Sequence, residues 1–132
     1  MKDKEGIVKA WLVKAEHDLG TAIITHQHLP DYRDTICYHC HQAVEKYLKA
    51  YLIYLEIPFK PSHDLVYLLN LIASKHKLPD KFYEMSVQIE NYGVQIRYPD
   101  EIIEPNDAEV NDAIRIAEDF RDFITSKMVI KS

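Results

Sequence analysis

At 132 residues, 47% of them hydrophobic and 28% charged, the chain has the length and balance of one globular domain that buries its own core. A net charge of −5 with histidine neutral argues against broad electrostatic binding of nucleic acid, though not against one local basic face. Two cysteines three positions apart make no disulfide framework, the first residues lack the apolar stretch of a signal peptide, and no run approaches membrane-spanning length; the expectation is a soluble cytoplasmic protein.

Only three glycines occur, and the six prolines all fall between positions 30 and 105, which leaves room for long helices and little for hairpins. The spacing predicts a first helix from about Gly6 to His28, with Ile7, Trp11, Ala15, Leu19, Ala22 and Ile23 near one face. Leu29-Pro30 ends it, because a residue before proline avoids the helical region. Asp31 is the expected N-cap of a second helix reaching about Glu56 and stopping at Ile57-Pro58.

That second helix is the most informative segment. Ile36, Cys40, Ala43, Val44, Tyr47, Leu48, Tyr51, Leu52 and Leu55 form a wide apolar stripe. His39, Gln42, Lys46 and Lys49 recur at the same steps on another face, a polar row able to hold an anion or a partner chain. Glu45 and Lys49, four apart in the favourable order, read as a surface ion pair.

After the extended link Phe59-Lys60-Pro61, Ser62 is the expected cap of a third helix, with Asp64 in its first turn and Leu65, Leu68, Leu69 and Ile72 buried. Leu78-Pro79 breaks it, and Asp80 can cap a fourth segment reaching about Asn91. Tyr92 to Pro105 is irregular. Asn106 with Glu109 has capping-box spacing and opens the last helix, whose core face is Val110, Ala113, Ile114, Ala117, Phe120 and Ile124. The expected fold is all-α, an up-and-down bundle of four to five helices in one domain over residues 1–132.

Three clusters invite chemistry. Cys37, His39, Cys40 and His41 resemble metal ligands, but no second Cys/His pair completes a tetrahedral set and Cys40 lies on the apolar stripe, so no metal is expected. His63-Asp64 reads either as a phosphate-attracting helix start or as a plain capped terminus. Arg97-Tyr98 reads either as an anion fork with a stacking ring or as a tie from its loop to Glu45 or Asp100. Phosphate-loop, dinucleotide, zinc-protease and nucleophile-elbow motifs are all absent.

HQAVEKYLKAYL, then SHDL, then IRYPDE before a final helix, with Ala15-Glu16-His17-Asp18-Leu19 in the first helix, resembles the HEPN domain family over nearly the whole chain. The resemblance implies a four- or five-helix bundle that pairs as a homodimer. It also implies a minimal nucleotidyltransferase as partner in a toxin–antitoxin-like pair, and a nucleotide or RNA ligand. It assigns candidate nucleotide- or phosphate-binding roles to Gln42, Lys46, His63, Asp64, Arg97 and Tyr98, with Asp18, His39 and Lys49 as secondary candidates. Many members are metal-independent ribonucleases that use an arginine followed after four to six residues by histidine. Here Arg97 is followed at positions 102, 103 and 104 by Ile102, Ile103 and Glu104, so no catalytic residue is assigned. The expected function is a non-catalytic nucleotide-binding or nucleotidyltransferase-partner module that needs no cofactor. The alternatives are a ribonuclease in which His63 or His39 acts across a dimer cleft, and a purely structural interaction bundle.

Overall fold

The computed structural model describes residues 3–93 and 104–129. Five α-helices follow one another: α1 (Lys4–His28), α2 (Arg33–Tyr54), α3 (Leu65–Ala73), α4 (Lys81–Ile89) and α5 (Asp107–Lys127), with a 3-10 turn at Glu90–Gly93 continuing from α4. No strand occurs among the described residues. The architecture is the expected all-α bundle, and no helix among the described residues is long and apolar enough to cross a membrane.

α2 is the axis of the fold. It packs against α1 along its length, against α5 on a second side, and against α3, α4 and the 3-10 turn on a third. Its apolar stripe is buried from Ile36 to Leu52, with Leu55 half-buried at the end. Ala15 and Ala22 of α1 meet this stripe with small side chains that let the two long helices approach closely, Leu19 packs into it between them, and Ile116, Phe120 and Ile124 of α5 fill the opposite side. Phe82 of α4 closes the far end, edge-on to Phe120 at 4.9 Å between ring centroids. In α1, Val8 is buried while Ile7, Trp11 and Ile23 are only half-buried, so the inward face is narrower than the spacing predicts.

The helix boundaries correct the sequence expectation at two caps. Tyr32, not Asp31, occupies the N-cap of α2 and makes no side-chain capping bond, because the Asp31 carboxylate turns to Arg33 at 3.5 Å. Asp64, not Ser62, caps α3, accepting from the Tyr67 amide, while Ser62 Oγ accepts from the Asp64 amide one step earlier. The capping box of Asn106 and Glu109 is present in both directions. α2 ends with Glu56 at φ 60°, its amide bonded to the Ile53 carbonyl and the Ile57 amide to Leu52, a left-handed terminus that glycine usually fills.

Candidate functional site

Asp18 lies on the buried side of α1, in phase with Ala15 and Ala22, and points a carboxylate into an otherwise apolar contact with α2. Such a group costs several kcal/mol to bury unless charged partners meet it. Two do. His39 Nδ1 donates to Oδ1 at 2.8 Å and Lys46 Nζ donates to Oδ2, so one carboxylate spans two turns of α2. Burial pushes the Asp18 carboxyl up, but the bonds and charges of His39 and Lys46 outweigh that and hold it below the usual carboxylate range. Both bases keep a quarter of their side-chain surface in solvent, 27% for His39 and 23% for Lys46, and Tyr38 stands edge-on to the imidazole.

A second cluster of the same composition sits further round α2. Glu45 accepts from Lys49 Nζ at 2.9 Å and from His63 Nδ1 at 2.9 Å. Here the carboxylate is 3% exposed and the ammonium 8%, while His63 remains 81% exposed. The Glu45–Lys49 pair is therefore buried, which corrects the surface pair expected from spacing alone: α1 and the start of α3 cover it, and the Trp11 ring of α1 lies 5.5 Å from the Lys49 ammonium. Gln42 is buried on the arc of α2 between the two clusters.

Beyond Glu45 the surroundings turn acidic. Glu90 accepts from the Leu65 amide at the start of α3, with both oxygens at 3.3 Å. Its carboxyl is raised by burial, with the Leu65 amide pulling the other way and the charges of Asp64 and Glu45 adding to the rise. His41, fully buried, approaches Glu90 at 3.8 Å, and neither of its ring nitrogens has a hydrogen-bond partner. Burial pushes the His41 imidazole down to about 4, holding it neutral. Gly93 sits against this ring so closely that an added Cβ would lie 2.5 Å from Cε1.

The sequence-derived candidates therefore separate. Asp18, His39 and Lys46 converge; Lys49 and His63 converge on Glu45; Asp64 serves as the α3 cap; Gln42 lies between. Arg97 and Tyr98 lie outside the described residues. Glu45 and His41 carry more of the site than sequence reasoning assigned to them, and a charged residue in phase with an apolar stripe was the available signal for Asp18. Cys37 and Cys40 are free, fully buried thiols that face the core, with Cys37 pushed up to about 12 by burial. No three His, Cys, Asp or Glu side chains converge as metal ligands among the described residues.

A family model described as the HEPN domain matches residues 8–128. Among solved structures, the protein TT1696 from Thermus thermophilus superposes with a TM-score of 0.79 at 23% identity, covering 92% of this chain and 98% of that one. The crystal structure of ST0689, described as an archaeal HEPN homologue, superposes with a TM-score of 0.74 at 22% identity, covering 96% of this chain and 98% of that one. At these identities the likeness shows a shared fold. No curated protein matches the chain.

Proposed function

The chain belongs to the HEPN domain family, and from that premise we propose that it is a non-catalytic binding module, acting as a homodimer in the cytoplasm. It takes a nucleotide, or the nucleotidyltransferase that handles one, as half of a toxin–antitoxin-like pair. The observation that carries this reading is the Asp18–His39–Lys46 cluster: its carboxylate lies underneath and its two nitrogen bases lie at the rim between α1 and α2. An acidic chain that keeps two basic heads together at a solvent edge offers a local site for an anion.

Lys46 supplies the positive charge. One of its three donors is spent on Asp18 and the others are left for phosphate, where a charge-assisted bond contributes about 1.5–3 kcal/mol. In this reading the buried Gln42 offers an amide edge beside Lys46, and the exposed His63 stands at the start of α3, where Asp64 is engaged as the helix cap. Arg97 and Tyr98 enter through the family resemblance, as a second phosphate fork and a stacking ring. Isothermal titration with ATP, GTP and their monophosphates tests the reading, both on the isolated chain and with the product of an adjacent nucleotidyltransferase gene. Heat of binding that disappears in Lys46→Gln supports it, and no heat in any combination removes it.

One observation favours a second reading, a metal-independent ribonuclease. Asp18 fixes His39 with Nδ1 engaged, so that Nε2 is the nitrogen available for proton transfer, an arrangement suited to a general base. Incubation with structured RNA in chelator decides it: cleavage lost in both His39→Ala and Arg97→Ala would replace the binding reading.

A further inference from the structure

We propose that Asp18 holds His39 and Lys46 as one clamp for a single phosphomonoester group, and that filling the clamp takes up one proton at His39 Nε2. The inference rests on the nucleotide reading above and names the atoms and the proton that it involves.

Charge counting is the first step. With a neutral imidazole, Asp18 and Lys46 cancel, and a dianion arriving at the rim meets one ammonium together with the lone pair of Nε2. That lone pair repels an anionic oxygen. Once Nε2 carries a proton, the same nitrogen becomes a donor and the cluster has one net positive charge, with Asp18 still accepting from Nδ1 on the far side of the ring. The bond that forms is N–H at Nε2, and the proton comes from the buffer acid; nothing else is transferred. The groups that face the ring are Asp18 from α1, Lys46 on the same carboxylate, and the edge-on Tyr38 ring at 5.4 Å between centroids. No described residue pairs with Nε2.

The geometry also selects this cluster over its neighbour. His63 is held through Nδ1 in the same way, but Lys49 is buried and turned to Trp11, and Asp64, Glu45 and Glu90 crowd the start of α3. An anion there would meet three carboxylates. At the Asp18 cluster the only carboxylate among the described partners lies behind the two bases, 12% exposed against their 27% and 23%.

Titration calorimetry at pH 8 tests the claim, because a phosphomonoester with a second ionisation at about 6 is already a dianion there. AMP, inorganic phosphate and adenosine are each titrated in buffers of widely different ionisation enthalpy. The slope of observed heat against buffer enthalpy counts the protons exchanged. The expected slope for AMP and for inorganic phosphate is uptake approaching about one proton, with none for adenosine. His39→Gln, checked for folding by circular dichroism, should bind AMP about tenfold more weakly and show no uptake. A zero slope for the unaltered protein with AMP overturns the inference without any variant, and uptake that persists in His39→Gln overturns it as well. Binding without proton exchange leaves the nucleotide reading intact and removes only the clamp; no binding by AMP or phosphate also removes the clamp, and the nucleotide reading falls with it only when ATP and GTP give no heat either, alone or with the partner.

Discussion

Replacing Glu45 by glutamine separates a buried charge pair from a surface one by roughly tenfold in energy. Spacing alone suggests an exposed (i, i+4) pair worth about 0.3–0.5 kcal/mol. In the fold, Glu45 is 3% exposed and Lys49 8%, with 2.9 Å between Nζ and Oε2. Removing the carboxylate charge leaves the Lys49 ammonium enclosed and unneutralised, a loss of about 3–5 kcal/mol for such pairs. The Trp11 ring 5.5 Å from Nζ retains part of the attraction, so the expected cost is at the lower end, about 3 kcal/mol. In a domain of this size that lowers the melting temperature by roughly 10–15 °C. Urea unfolding followed by Trp11 fluorescence and by circular dichroism measures it. The double variant Glu45→Leu with Lys49→Met should recover most of the loss, because it removes both charges at once. A Glu45→Gln cost below about 1 kcal/mol would refute the buried-pair account.

Three further outcomes are expected. His41 is held near 4 by burial, so the folded state binds fewer protons than the unfolded one below the ordinary imidazole range. Its stabilising share is complete above about 6.5 and is lost as pH falls towards 4; it amounts to roughly 2–3 kcal/mol by pH 4.5, and His41→Leu should remove that share of the acid dependence of the urea midpoint. Gly93→Ala places a methyl 2.5 Å from a ring that cannot retreat, costing about 1–3 kcal/mol, and should cost much less in a His41→Ala background when both are measured by denaturation. Glu56→Gly relieves a left-handed residue at the end of α2 and, after loss of its exposed 3.7 Å contact with Lys4, should stabilise the chain by about 0.5–1 kcal/mol in thermal melts.

The helices were legible because their punctuation is chemical: Leu29-Pro30, Ile57-Pro58 and the Asn106–Glu109 box each leave a distinct local mark in the chain. The caps of α2 and α3 were less so. Asp31 and Ser62 are both able to cap, and the choice between them and their neighbours fell to side-chain bonds with Arg33 and with the Asp64 amide, which the local sequence does not rank. On α2, periodicity separated the apolar stripe from the row of His39, Gln42, Lys46 and Lys49. It could not say that α1 roofs that row, because roofing is a property of tertiary packing. A helix read as two-faced therefore proved to be enclosed on most of its circumference, and a pair read as solvated became buried.

The two carboxylates of this region, Asp18 and Glu45, each hold one imidazole through Nδ1 and one lysine, yet their surroundings assign them different work. At Glu45 the lysine is enclosed, so the pair ties α2 beneath α1 and α3 and its energy goes into the fold. At Asp18 the carboxylate is the enclosed member and both bases reach solvent, so apolar packing could replace it with little loss of stability but with loss of the oriented bases. The comparison of two charge-removing variants follows from this. Asp18→Asn should weaken AMP binding about tenfold or more while its Lys46 and His39 relax into solvent and limit the stability cost to about 1–2 kcal/mol. Glu45→Gln should do the reverse, losing stability while the remaining folded fraction binds AMP with little change. Equal effects of the two substitutions on affinity, measured on folded protein, would show that the clusters act as one unit and that the division drawn between them is wrong.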